Sequence, residues 1–153
     1  MEIRRATIAD AAVIAAYNAA LARESENMPL DPAIVHRGVE AVLRDATKGI
    51  YFGAYEGGKL VGQLLITQEW SDWRNGNFWW LQSVYVHPDY RSRGVFKSLF
   101  AHALAQAQEA PDICGFRLYV DAHNRRAQEV YHRLGLKKTD YQVMERLFPP
   151  GAR

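Results

Sequence analysis

The sequence predicts a single domain, residues 1–153, of the α/β (α+β) class: a mixed, mostly antiparallel sheet of six to seven strands with helices on both faces and a parallel strand-helix-strand crossover. Two observations set the topology. Apolar strand-like runs are separated by Gly57-Gly58 and by Asn75-Gly76, both tight-turn pairs that fold successive strands back antiparallel. Farther on, the period changes from two to 3.6 and back, so a helix lies between two strands and a right-handed crossover sets those strands parallel. A chain of 153 residues, 48% hydrophobic and 24% charged, is long enough to bury one core of this kind.

Taken in order, "EIRRAT" reads as a first strand, and Thr7 with Asp10 forms a capping box for the helix that follows. That helix carries Val13, Tyr17, Ala20 and Leu21 at helical spacing and fades near "ESENMP". Pro32 opens a second helix whose stripe is Val35, Val39, Val42, Leu43 and Ala46, and Gly49 is expected to end it. "IYFGAYEGGKLVGQLLITQEW" supplies two strands and "FWWLQSVYV" a third, completing a meander. From Gly94, the residues Phe96, Leu99, Phe100, Ala103, Leu104 and Ala107 recur at helical spacing until Pro111. "GFRLYVD" is the crossover's second strand, "NRRAQEVYHRLGL" a last helix closed by Gly135, and "KKTDYQVMERLF" a final strand.

Composition excludes several functions. A net charge of +2 gives no basis for nucleic-acid binding, and no run approaches the roughly 20 apolar residues of a membrane span. "MEIRRATIAD" lacks the apolar core of a secretory signal, so a cytoplasmic location is expected. The single cysteine, Cys114, excludes an internal disulfide and, beside Phe116 and Leu118, is expected to be a buried small hydrophobe. His36, His87, His102, His123 and His132 show no ligand spacing, so no metal is expected.

The most unusual segment is "HPDYRSRGVF", which inserts two arginines and one glycine between a strand and a helix. The N–H groups in a helix's first turn lack internal partners and carry the positive end of its dipole. Gly94 removes a side chain where a ligand would approach, and Arg91, Arg93 and Lys97 add mobile cations, so the segment is either an anion cradle or an exposed basic loop. One glycine is too few for the dinucleotide fingerprint, and the P-loop Gly-Lys-Ser/Thr run is absent.

"SVYVHPDYRSRGVFKSLF" followed by "LYVDAHNRRAQEVYHRLGL" resembles the GNAT acetyltransferase superfamily, whose loop Arg/Gln-x-x-Gly-x-Gly/Ala falls here on Arg91, Gly94 and Phe96. Phe96 departs from the usual small residue. The resemblance extends over nearly the whole chain, and it implies acetyl-CoA as co-substrate. Main-chain groups across Arg91, Ser92, Arg93, Gly94, Val95 and Phe96 would hold the pyrophosphate, and the strand Val84, Tyr85, Val86 would pair with the pantetheine arm. Asn124 and Tyr131, two helical turns apart, share a face. The resemblance makes Asn124 a cofactor ligand and Tyr131 the general acid that protonates the departing thiolate, a role suited to a phenol with a reference pKa of about 10.

The base stays open among Glu24, Glu26 and Glu69, since Gln82 and Ser83 stand where related small-amine enzymes carry a glutamate. Glu24, Glu26, Trp70, Asp72, Trp73 and Gln82 form the candidate acceptor site. The two tryptophans serve either as a cation-π wall for an ammonium or as packing for a protruding turn. Together with "LDPAIVHRGV", "EWSDWRNG" and "QSVYV" look most like bacterial relatives of the spermidine/spermine (diamine) N-acetyltransferases. The expected function is therefore direct acetyl transfer to the primary amine of a polyamine or amino-acid-like molecule, by a homodimer. The alternatives are a non-catalytic acyl-CoA-binding module and a protein or peptide N-acetyltransferase.

Overall fold

The computed structural model describes residues 1–151 and divides them into two compact units, Met1–Tyr119 and the segment from Val120 onward. In the first unit the strands β1 (Glu2–Arg5), β2 (Ile50–Glu56), β3 (Lys59–Ser71), β4 (Gly76–Val86) and β5 (Ile113–Leu118) form one sheet in the order β1-β2-β3-β4-β5. All neighbours are antiparallel except β4 and β5, which run parallel as the crossover requires. The β2–β3 hairpin turns through Gly57 and Gly58, with φ of 56° and 77°, the two left-handed residues of a tight primed turn.

Helices cover both faces. Tyr51 and Leu65 point to one side, where they pack in a buried cluster with Ala11 and Ile14 of α1 (Ala11–Glu26) and Val39 of α2 (Pro32–Arg44). Phe52, Leu64 and Ile66, one residue out of phase, are fully buried on the other face. There the Phe52 ring meets His102 of α3 (Val95–Glu109) edge-on at 5.0 Å. Gly62 lets α3 approach closely, since a Cβ on it would sit 2.7 Å from Val95 Cγ1.

The helix starts follow the sequence. Thr7 and Asp10 make the expected box, the Thr7 N–H donating to Asp10 Oδ2 at 2.9 Å, although the first turn, Ile8–Asp10, is 3-10 before α1 begins. Asp31 caps α2 by accepting from the Ala33 N–H at 2.9 Å, with Pro32 at the first position.

Three expectations are corrected. The helix α2 stops at Arg44 rather than at Gly49, because the Asp45 side chain accepts from the Thr47 N–H (3.0 Å) and hydroxyl (2.6 Å), a local turn that competes with helix. Cys114 is exposed, near the start of the edge strand β5, where a side chain on Gly76 would stand 3.3 Å from its Cβ and glycine supplies none to cover it. The sheet has five strands, not six to seven: among the described residues "KKTDYQVMERLF" forms no strand, and Tyr141, Val143, Met144, Leu147 and Phe148 are exposed. Alternating apolar residues give a segment strand propensity, but a strand also needs a neighbour for its N–H and C=O groups.

The second unit contains α4 (Arg125–Arg133), capped by Asn124, whose Oδ1 accepts from the Ala127 N–H at 3.0 Å. Gly135, at φ 91°, follows its end.

Candidate active site

The centre of the first unit is a break in β4. Gln63 of β3 is opposite Tyr85, but Leu65 is opposite Gln82, so β4 holds one residue more than β3 across this step. The extra length is absorbed at Ser83, a non-glycine residue at φ 49°. Left-handed backbone costs an L-residue roughly 1–2 kcal/mol, so something must hold it. Gln63, fully buried, donates from Nε2 to the Ser83 carbonyl at 3.1 Å and to Asn18 Oδ1 of α1 at 2.7 Å. Asn18 Nδ2 donates in turn to the Tyr51 hydroxyl at 3.0 Å. Burial pushes the Tyr51 phenol upward, so it stays a neutral hydrogen-bonding group.

Beyond this break β4 and β5 part. Their pairing runs from Asn77↔Ile113 to Leu81↔Leu118, whereas β4 continues to Val86. The β5-side edge of residues 82–86, which includes Val84, Tyr85 and Val86, has no strand partner among the described residues and can accept an extended ligand as an added strand.

The strand then delivers the chain into the glycine loop. Pro88–Tyr90 forms a 3-10 turn, and Ser92 (φ 62°) and Gly94 (φ 75°) are both left-handed before α3 starts at Val95. Among the described residues, chain neighbours aside, nothing lies within 4 Å of where a Gly94 Cβ would be. The first bond of α3 runs from the Ser98 N–H to the Gly94 carbonyl at 3.0 Å, so the positive end of the helix and its first-turn N–H groups face the glycine loop. Open space over a left-handed glycine, with helix-end donors behind it, fits a pyrophosphate. The Phe96 ring is half-buried with its centroid 6.1 Å from that of Phe100 one turn along.

Arg91 differs from the mobile cation expected. Its N–H donates to the Pro88 carbonyl at 3.3 Å, its Nε to the Val86 carbonyl at 2.9 Å, and its guanidinium to Glu24 Oε2 at 2.9 Å. It is an anchor that fastens the loop to the end of β4 and to the last turns of α1. Tyr85 donates to the other oxygen of Glu24 at 3.1 Å. The Arg91 guanidinium, aided by Tyr85, holds the Glu24 carboxyl below the usual carboxylate range. Burial, and then the adjacent Glu24, push the Tyr85 phenol up. Arg93 lies over the Tyr90 ring, 5.3 Å from its centroid.

A second polar group occupies the middle of the sheet. By register Thr67, Glu69, Phe78, Trp80, Gln82 and Arg117 share one face. Gln82 Nε2 donates to Thr67 Oγ1 at 2.6 Å. Glu69 Oε1 accepts from the Trp80 indole and from Arg117 Nη1, each at 2.9 Å. The Arg117 guanidinium also lies 3.7 Å from the Phe78 ring centroid, and the Trp80 and Tyr119 rings are 4.6 Å apart. The Trp80 indole, followed by Arg117, keeps the Glu69 carboxyl low.

The candidate residues therefore fall into separate groups. Glu24 meets Tyr85 and Arg91, Glu69 meets Arg117, and Glu26 ends α1 exposed. Trp70 (58% exposed), Asp72 and Trp73 (84% exposed) lie at the β3–β4 turn. Since Trp70 is opposite Asn77, that turn is about 20 Å along β4 from Ser83 at 3.3 Å per residue. The two tryptophans and Glu24 thus stand toward opposite ends of one strand. Sequence reading missed Gln63, Asn18 and Tyr51. The only signal for them was a glutamine within an otherwise apolar strand, "LVGQLLI".

In the second unit, taken by itself, Tyr131 is on α4, half-buried, and its burial raises the phenol pKa. It is protonated at neutral pH, as a proton donor must be. Asn124 has committed its carbonyl oxygen to Ala127, so its Nδ2 is the atom that can donate. Among the described residues no cluster of three or more His, Cys, Asp or Glu side chains could hold a metal, and no helix is long and apolar enough to cross a membrane.

A split parallel pair beside a glycine-led helix N-terminus is an arrangement that can take a phosphate-bearing ligand with an extended arm. Residues 14–136 match the acetyltransferase (GNAT) family model, and the chain belongs to that family; it is an acetyltransferase. It is 41% identical to a possible acetyltransferase from Clostridium difficile 630, over 97% of this chain and 98% of that one, with a TM-score of 0.92. A ribosomal-protein-alanine N-acetyltransferase from Brucella melitensis biovar Abortus 2308 shares the fold at 20% identity, with 97% and 100% of the two chains covered and a TM-score of 0.75. A predicted acetyltransferase from Clostridium acetobutylicum, solved with acetyl-CoA, shares it at 16% identity, with 95% of each chain covered and a TM-score of 0.77. No curated protein matches the sequence.

Proposed function

We propose that this chain transfers the acetyl group of acetyl-CoA directly to the primary amine of a small, polyamine-like or amino-acid-like molecule. The observation that carries the reading is the unpaired β4 edge, residues 82–86, running straight into the open Gly94 loop. Acetyl-CoA supplies a thioester-activated acyl group. The first-turn N–H groups of α3 hold its diphosphate, and the main chain at Val84 and Val86 pairs with the extended arm. An N–H group of the β4 break faces the carbonyl being attacked, where a fixed donor favours the charge that develops on oxygen. Tyr131 supplies the proton to the leaving thiolate, a role that rests on the family resemblance and on the protonated state its burial ensures.

The acceptor amine fits the exposed side of the Glu69, Trp80 and Arg117 face. A carboxylate and an indole there recognise an ammonium, and the guanidinium suits a carboxylate where the acceptor carries one. Glu24 and Glu69, both held low by donors, attract a cation better than they take its proton. The resemblance of "EWSDWRNG" and "QSVYV" to the spermidine/spermine-type enzymes supports the same acceptor class. A cytoplasmic homodimer belongs to this reading, supported by the exposed apolar residues Tyr141, Val143, Met144, Leu147 and Phe148, which a second copy could cover.

The experiment is steady-state release of CoA thiol from acetyl-CoA across polyamines, lysine analogues, aminoglycosides and short peptides. Turnover concentrated in one class of small amine supports the proposal. Peptides outcompeting every small amine would overturn the acceptor class. Tight acetyl-CoA binding with no turnover would mark an acyl-CoA-binding module.

A further inference from the structure

We infer that Gln63 is a positioning residue for acetyl transfer: its buried side-chain amide fixes the Ser83–Val84 peptide so that the Val84 N–H points out of the β4 edge at the reacting carbonyl. The inference rests on the acetyl-transfer reading and assigns the donor to a particular atom. Three observations lead to it.

The first is directional. A backbone carbonyl only accepts, so the atom of Gln63 facing the Ser83 oxygen must be the amide nitrogen, and the 3.1 Å contact is a true N–H···O bond. A trans peptide is planar, with its C=O and N–H pointing opposite ways. Drawing the Ser83 oxygen toward the Gln63 amide, which also meets Asn18 of α1, therefore turns the Val84 N–H away from that amide, on a stretch of β4 whose pairing with β5 has already ended.

The second is the strain. With φ at 49°, Ser83 is in a conformation that an unsupported strand would leave. It is gripped at its carbonyl by Gln63. Asn18 Oδ1 takes the other contact of Gln63 Nε2 at 2.7 Å and so orients the amide from α1.

The third is the cost. Gln63 is fully buried, and among the described residues no protein group donates to its Oε1. An unsatisfied buried acceptor is unfavourable, and a methionine or leucine would fill this place in an apolar strand without one. A buried amide that leaves one of its own atoms unpaired while holding a strained backbone carbonyl serves the geometry of the site rather than stability.

The test is Gln63→Met, which keeps the volume and removes both donors, assayed beside Asn18→Leu, which leaves Gln63 in place but removes the acceptor that orients it. With the best amine acceptor, kcat should fall about tenfold to a hundredfold in Gln63→Met, since a misdirected donor loses part of the stabilisation of a fixed one. Asn18→Leu should fall less, in the same direction. Acetyl-CoA affinity and KM should barely change and Tm should hold or rise, a split that a purely structural role would not produce. Amide NMR of the free protein gives a readout independent of turnover: the Val84 N–H resonance should move in Gln63→Met well beyond the other β4 amides. An unmoved Val84 resonance overturns the positioning of that peptide, whether or not the protein transfers acetyl groups. A moved resonance with unchanged kcat in an active enzyme overturns its role in catalysis. If the wild type turns over no acceptor, it is the acetyl-transfer reading that fails, and the proposed catalytic role of Gln63 falls with it even where the resonance moves.

Discussion

Arg91 and Glu24, 67 positions apart in the sequence, meet at 2.9 Å and tie the glycine loop to the last turns of α1. The same guanidinium takes the Val86 carbonyl, and Tyr85 adds a second bond to Glu24, so the loop, the end of β4 and α1 are joined through one carboxylate. Loop position and charge are thereby set by a residue outside the glycine motif.

That pair sets a pH dependence. The Glu24 carboxyl is held low in the folded protein, chiefly by Arg91. A depressed carboxylate contributes stability that is complete above the ordinary carboxylate range and is lost as pH falls through its lower folded value. Both side chains are nearly half exposed, so the contribution is screened and amounts to about 0.2–1 kcal/mol. Glu24→Gln should lower Tm by roughly 1–3 °C at neutral pH, and the wild-type and variant curves should converge on acidification. Thermal melts from neutral pH down into the acid range measure this. A gap that widens with acid would contradict the assignment.

Gly94 tests the anion cradle. Its φ of 75° makes any L-residue there strained by roughly 1–2 kcal/mol, while the space around it is open. Gly94→Val should therefore fold with a modest loss of stability and bind acetyl-CoA at least about tenfold more weakly, since the new side chain stands over the first-turn donors of α3. Calorimetric titration with acetyl-CoA separates the two effects. Unchanged affinity would put the pyrophosphate elsewhere.

The outline of the fold was readable because it depends on local signals. Gly57-Gly58, the change of period after Pro88 and the Thr7–Asp10 box each specify backbone over a few residues, and each recurs in the structure. The break at Ser83 was not readable, because a bulge is a relation of register between β3 and β4 and leaves no mark within "LQSVYV". The Glu24–Arg91 pair depends on how α1 approaches the sheet, which no spacing encodes. The "KKTDYQVMERLF" pattern reads as a strand for the opposite reason: its periodicity is local, but pairing is not.

Gly62 governs how closely α3 approaches the sheet, and hence where the cradle's donors stand. A Cβ at this position would come within 2.7 Å of Val95 Cγ1, at the first residue of α3. Gly62→Ala should cost about 1–3 kcal/mol by overpacking and weaken acetyl-CoA binding by displacing the first turn. Val95→Ala in the same chain should restore part of both, because it removes the methyl that the new Cβ meets. A double-mutant cycle on Tm and Kd checks the coupling, and additive losses would show that the contact does not control the helix.

Tyr131 gives the most direct test of chemistry. Its burial raises the phenol pKa, so the hydroxyl keeps its proton throughout the neutral range and above the ordinary tyrosine value. Tyr131→Phe removes one oxygen from a half-buried ring and leaves the apolar body of the side chain in α4. If the hydroxyl protonates the leaving thiolate, kcat should fall about a hundredfold or more, the usual scale for loss of a general acid, with little change in acetyl-CoA affinity. The loss should shrink with acyl donors whose thiol is more acidic, because a better leaving group needs less help from a proton. The wild-type rate should show no alkaline decline from this group until the pH exceeds the normal tyrosine range. A drop in kcat equal for good and poor leaving groups would make Tyr131 a packing residue of α4 and assign the proton to another donor.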